Sequence, residues 1–182
     1  MRILFTVEFY EPRKGGAEEV VRQLATRLVK SGHQVTVATS KVESRKEKII
    51  DGVAIEEFSL TGNQVRGFRG KKEEIARYQA FLQGNFDVVL NYAAQSWTTD
   101  LAFPVLSKIR GKKVLVPCGY SALHNSAYKK YFYVLPTILV QYDALVYMSA
   151  HYQDYEFGIQ RNLGDKAVII RNGAAEEEFA SS

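Results

Sequence analysis

The sequence predicts an α/β fold, a three-layer domain in which a mostly parallel sheet of about seven strands carries helices on both faces. Three observations lead there. Short β-branched runs alternate with amphipathic stretches along the whole chain, the order that builds βαβ units. Several of the runs are apolar without alternation, as strands must be when both faces of a sheet are covered. The chain has 182 residues, 46% of them hydrophobic and 12% aromatic, enough to bury the core of one domain. The expected architecture is Rossmann-like.

The seven runs, in order, are RILFTV (2–7), QVTVAT (34–39), VAIEEF (53–58), DVVLNY (87–92), KVLVPC (113–118), ALVYMS (144–149) and AVIIRN (167–172). VAIEEF carries Glu56 and Glu57 and is expected at a sheet edge or in a hairpin. Between the first two runs, Val20, Val21, Leu24, Leu28 and Val29 recur at helical spacing, and Gly32 follows Ser31 where a helix C-cap is expected. The most apolar window, Tyr131 to Met148, is interrupted by Pro136, Gln141 and Asp143 and reads as a buried helix followed by a core strand. Lys41 to Lys48, KVESRKEK, is expected to be a solvated connection. Thr61 to Lys72, TGNQVRGFRGKK, has three glycines, four basic residues and Phe68, and is expected to be a mobile loop.

Charge and cysteine content narrow the function classes. Lys and Arg number 24 against 20 Asp and Glu, a net charge of +4, which is a mild basic bias and no nucleic-acid signature. The single cysteine, Cys118, excludes an internal disulfide and is expected to be a small buried hydrophobe. The start MRILFTVEF is strand-like and lacks a secretory n-region, so the expected compartment is the cytoplasm.

The first run leads into EPRKGGAEE, a basic loop with adjacent glycines opening a helix whose first turn is acidic. In an open parallel sheet, ligands collect at the carboxyl ends of the strands. Gly15 and Gly16 are expected there, letting backbone approach a ligand while the first helical N–H groups point unpaired into the mouth. Glu18 and Glu19 suit the helix N-terminus by dipole complementarity alone. The loop lacks the G-x-G-x-x-G dinucleotide fingerprint, and no P-loop Lys-Ser or Lys-Thr follows. GYSAL from Gly119 lacks the closing glycine of a nucleophile elbow. His33, His124 and His151 have no metal-ligand spacing, and no metal is expected.

Taken together, GGAEEVVRQLATRLVKSGHQVTVATS, FDVVLNY, YDALVYMSAHYQDYEFG and KAVIIRNGAAEEEF resemble the amino-terminal domain of the retaining glycosyltransferases of family 4, which have the two-domain GT-B fold. The resemblance implies a transferase that moves a sugar from a nucleotide-diphosphate sugar to a sugar or lipid-linked acceptor. Residues 1–173 would be the acceptor-side domain and 174–182 the start of an interdomain linker. The donor-binding domain would lie outside this chain, leaving it inactive alone. The nucleotide-sugar donor would be a cosubstrate, with no cofactor. The family's donor motif, two glutamates with seven residues between them, belongs to that other half; Glu11 and Glu19 share the separation but flank the first loop.

Where many members carry His-x-His on the fourth strand, this chain has Leu90 and Tyr92, and the family's PHG segment is Pro117-Cys118-Gly119. The remaining catalytic candidates are Asp100, expected on a helix surface, and His124. The residues expected on the substrate side are Gly15, Gly16, Tyr92, Gln95, Gly119, Tyr120, Ser149 and Asn172, with Phe9 and Trp97 as further rings near strand ends. Arg66, Arg69, Lys71 and Lys72 suit an anionic membrane surface, and the flanking segments do not read as a nucleic-acid-binding module. A free-standing Rossmann-like or flavodoxin-like nucleotide binder is the alternative.

Overall fold

The computed structural model describes residues 1–173; the predicted linker, 174–182, lies outside them. The strands are β1 (Arg2–Thr6), β2 (Gln34–Ser40), β3 (Ile49–Ile50), β4 (Val53–Phe58), β5 (Thr61–Asn63), β6 (Gly67–Arg69), β7 (Val88–Tyr92), β8 (Lys112–Val116), β9 (Ala144–Tyr147) and β10 (Ala167–Ile169). The helices are α1 (Gly16–Lys30), α2 (Lys72–Leu82), α3 (Trp97–Asp100), α4 (Lys129–Leu139) and α5 (Gln153–Ile159). Eight strands form one sheet in the order β10-β9-β8-β7-β1-β2-β4-β3. All seven predicted runs are parallel neighbours in it. The eighth strand is the two-residue β3, antiparallel to β4, so VAIEEF is both a parallel strand and a hairpin arm. Strand order reverses between β1 and β7, the switch point at which such sheets bind ligands.

Alternation along β1 shows how the two faces are filled: Ile3 and Phe5 enter one core with Val21, Ala25 and Val37, and Leu4 enters the other with Trp97, Leu135 and Leu145. Helix α1 ends as expected. Gly32 takes φ +84, its N–H donates to the Val29 carbonyl at 2.9 Å, and His33 N–H donates to the Leu28 carbonyl at 3.0 Å, a Schellman closure.

Three expectations need correction. Residues 61–72 do not form a loose loop: β5 and β6 pair as a hairpin, and Asn63 Oδ1 accepts the N–H groups of Val65 and Arg66 at 3.0 and 2.8 Å to make the turn. Gly62, at φ +92, has the Gly67 carbonyl 2.2 Å from where a Cβ would sit, so glycine is what lets the arms close. Phe68 is half-buried and packs on the core. Helix α4 is buried on one side only, because Tyr133 is 84% exposed. The run 41–48 is not wholly solvated, because the Arg45 side chain is buried.

Candidate active-site corner

Four loops leave the carboxyl ends of β1, β7, β8 and β9 on one edge of the sheet. The β1 loop is shaped by Arg45. Its guanidinium donates to the carbonyls of Glu11 at 2.6 Å, Tyr10 at 2.9 Å and Ser40 at 3.2 Å, and meets Glu57 Oε1 at 2.5 Å. One buried fork therefore fixes the approach to the glycine pair from behind. Gly15 is extended, with φ −163, and the first intrahelical bond runs from Glu19 N–H to the Gly15 carbonyl at 2.9 Å. The N–H groups of Gly16, Ala17 and Glu18 precede that bond and have no intrahelical acceptor. Gly15 and Gly16 are both exposed. A Cβ on Gly16 would meet nothing within 4 Å, whereas one on Gly15 would fall 2.4 Å from Glu18 Oε2. The Glu18 carboxylate thus lies over Gly15. Burial, and next to it the charge of Glu18, raise the pKa of Glu8, so two carboxylates share the mouth.

The β7 and β8 ends are held in left-handed backbone. Four of the six non-glycine residues with positive φ among the described residues are here, namely Ala93, Gln95, Cys118 and Tyr120. Such conformations persist only where surrounding contacts over-determine them, and they gather at functional sites. The contacts are visible. Asp154 Oδ2 accepts Gly119 N–H at 2.9 Å, and Gln153 Nε2 donates to the carbonyls of Gly119 and Tyr120 at 2.6 and 3.1 Å. The Ala93 carbonyl accepts the hydroxyls of Ser96 at 3.0 Å and Thr99 at 2.6 Å.

The predicted residues separate into two groups. Gly15, Gln95, Gly119 and Ser149 lie in these loops, Gly16 opens α1 at the end of the first, and Asn172 follows β10, although Gly119 is buried beneath the Tyr152 ring. Gln95 Oε1 accepts Ala122 N–H at 3.4 Å, and Ser149 Oγ accepts His151 N–H at 3.1 Å. Asn172 is exposed, its Nδ2 3.4 Å from Met148 Sδ. Tyr92 and Tyr120, by contrast, are 2% and 1% exposed, and their rings belong to the cores; so does Trp97, whose Nε1 donates to Ser40 Oγ at 2.8 Å. None of these three can stack on a sugar. Phe9 remains half-buried under the Arg13 guanidinium, 4.4 Å from its ring.

Asp100 is not a surface carboxylate. It is 3% exposed, accepting Tyr131 O–H at 2.8 Å and Gln64 N–H at 2.9 Å. Burial pushes its pKa up to about 6. Together with Asn63, which donates to the Tyr128 hydroxyl at 3.0 Å and the Gln95 carbonyl at 3.2 Å, it pins the β5–β6 hairpin to α3 and α4. His124 is exposed. Burial raises the Cys118 thiol to about 11, against the thiolate a nucleophile needs. Among the described residues no group of His, Cys, Asp or Glu is placed to hold a metal, and no helix is long and apolar enough to cross a membrane.

The sequence model of Glycosyltransferase Family 4 matches residues 14–177. The chain belongs to glycosyltransferase family 4. The match includes the glycine corner, the β7 and β8 loops and Asn172. No individual curated protein matches it significantly. Among solved structures, the family 4 domain is similar to sucrose-phosphate synthase from Thermosynechococcus elongatus, with a TM-score of 0.66 and 13% identity over 97% of this chain and 49% of that one. A second structure of that name from the same organism gives a TM-score of 0.58 at 13% identity, covering 99% of this chain and 93% of the other. At such identity the likeness is one of fold. The chain spans about half the length of the longer of these structures.

Proposed function

We propose that this family 4 domain is the acceptor-side half of a retaining hexosyltransferase, which moves a sugar from a nucleotide-diphosphate sugar to a sugar or lipid-linked acceptor. The observation that carries the reading is the exposed Gly15–Gly16 corner after β1, where three N–H groups of the first helical turn have no intrahelical acceptor beside the switch point of the sheet. Directed amides of this kind favour negative charge, such as the charge that grows on a leaving phosphate, without needing an ionisable side chain. The carboxylate of Glu18 over Gly15 offers an acceptor for sugar hydroxyls, and an arriving phosphate would have to displace it. No enclosed pocket is required of this half, since a donor-binding lobe would complete the cleft.

The proton of the acceptor hydroxyl needs a destination: Asp100 is tied down and Cys118 stays a thiol, while Glu18 in the mouth would be displaced by the arriving phosphate and burial holds Glu8 beside it towards its protonated form. The reading therefore gives that proton to the donor's own leaving phosphate and leaves the protein to position and stabilise. It involves no metal or cofactor, and the half-domain alone is inactive because it lacks the donor's binding surface. The expected compartment is the cytoplasm, with contact to a membrane where the acceptor is lipid-linked. Incubating the full-length protein with a panel of nucleotide-diphosphate sugars and acceptors tests it. The expected result is release of nucleoside diphosphate with a product of unchanged anomeric configuration by NMR. Inversion, or no turnover and no binding for any donor, counts against it.

A further inference from the structure

From Leu101 to Tyr142 the chain carries six Lys or Arg residues and no Asp or Glu, and from Phe58 to Lys72 it carries Arg66, Arg69, Lys71 and Lys72, again without an acid. The fold brings parts of these two stretches side by side. Gln64 and Val65, at the tip of the β5–β6 hairpin, line one groove of about 330 Å³ with Lys130, Val134 and Ile138 of α4. Arg66 follows at the same tip and is exposed. On the outer side of α4, Lys129, Lys130, Tyr133, Val134 and Thr137 recur at intervals of three and four and are all exposed. Tyr133 is 84% exposed and Val134 38%, with Val140 at 53% just beyond the helix.

This arrangement is costly for a helix facing only water. Two ammonium groups sit in the first turn of α4, where the backbone dipole disfavours cations, and no acidic residue is there to offset them. Neither lysine takes part in an ion pair among the described residues. Cations flanking an exposed tyrosine and valine on one face match an interface with a phosphate layer outside and an apolar layer beneath. A nucleic-acid surface would call for several stacking rings, and this face exposes one.

We infer that the outer face of α4 and the tip of the β5–β6 hairpin seat this chain on an acidic lipid surface. Lys129, Lys130 and Arg66 meet headgroup phosphates, and Tyr133 and Val134 enter the interfacial layer. The inference stands on charge and exposure and does not depend on sugar transfer. Its test contains no donor sugar, so the two can fail separately.

The experiment is cosedimentation of the chain with vesicles of phosphatidylcholine alone and of phosphatidylcholine mixed with phosphatidylglycerol. The chain should pellet with the mixed vesicles only, and less as salt rises. Lys129→Gln, Lys130→Gln and Arg66→Gln should each lower the partition about fivefold. Tyr133→Ser should weaken it while leaving the salt dependence intact; thermal melts of the Tyr133 and Arg66 variants should match the parent, and those of the Lys129 and Lys130 variants should match it or rise slightly, since each removes a cation from the first turn of α4. Lys46→Gln with Lys48→Gln, exposed between β2 and β4, serves as the control and should change nothing. The inference is overturned by any of four results: no pelleting with mixed vesicles, equal pelleting with neutral ones, a control loss equal to that of the α4 variants, or binding of single-stranded RNA in place of vesicles.

Discussion

Replacing Arg45 by alanine tests whether the glycine corner is held from behind. The wild-type side chain is 2% exposed, and its fork serves the carbonyls of Tyr10, Glu11 and Ser40 together with the Glu57 carboxylate. Removing one member of a buried ion pair costs about 3–5 kcal/mol, because the partner is left buried and unpaired. Glu57 keeps 23% of its side chain in water, so the lower end of that range, about 3 kcal/mol, applies. At a urea m-value near 2 kcal/mol/M this lowers the unfolding midpoint by roughly 1.5 M. Arg45→Lys should recover only part of the loss, since an ammonium cannot span acceptors set out for a planar fork. Hydrogen exchange localises the effect: Tyr10, Glu11 and Gly15 amides should speed up beyond what the global loss explains, whereas β7 and β8 amides should follow the global loss. A loss below about 1 kcal/mol, or uniform acceleration with nothing extra in the β1 loop, refutes the clamp.

Three further outcomes are expected. Asp100 has a folded pKa of about 6, above the ordinary 3.8, so the folded state holds that proton more tightly. Its contribution is therefore full below pH 3.8 and lost as pH rises through 6; urea melts from pH 3 to 7 should show wild type losing about 3 kcal/mol relative to Asp100→Asn, and a relative gain would reverse the assignment. Gly119→Ala should cost about 1–2 kcal/mol for φ +91. Its new Cβ would also meet the Tyr152 ring at 2.3 Å, but that ring is 54% exposed and free to swing, so adding Tyr152→Ala should leave the cost nearly unchanged in thermal melts. Glu18→Ala should uncover the α1 amides, so that inorganic pyrophosphate shifts the Gly16 and Ala17 amide resonances at lower concentration than in wild type; a weaker response would mean that Glu18 does not compete for that site.

The sheet was legible because each of its seven main strands is a β-branched run whose position follows from local pattern, and the α1 C-cap because Gly32 follows the last apolar turn. The family was legible in the glycine pair and the helix it opens. What stayed hidden depends on long-range contacts. Arg45 sits in a mixed-charge run that gives no sign of reaching carbonyls 34 and 35 residues away. Asp100 looks like any helix carboxylate until the hairpin folds over it, and the hairpin itself hides in a sequence rich in glycine, where flexibility and tight turning look alike. Tyr92 and Tyr120 do fall at strand ends, but the pleat and the left-handed turn at Cys118–Tyr120 send both rings inward. Asp154 and Gln153, which hold that turn, carried no signal beyond their place at the start of a short helix.

Gly16→Leu puts the central claim to the most direct test. A side chain at Gly16 meets nothing within 4 Å in the folded chain, so the variant should be as stable as the parent or gain up to about 1 kcal/mol. If those backbone amides face the reacting sugar, sugar transfer by the full-length variant should fall at least about a hundredfold, since an intruding side chain displaces the substrate by more than an ångström. A stable Gly16→Leu enzyme with unchanged transfer would show that the corner lies outside the cleft.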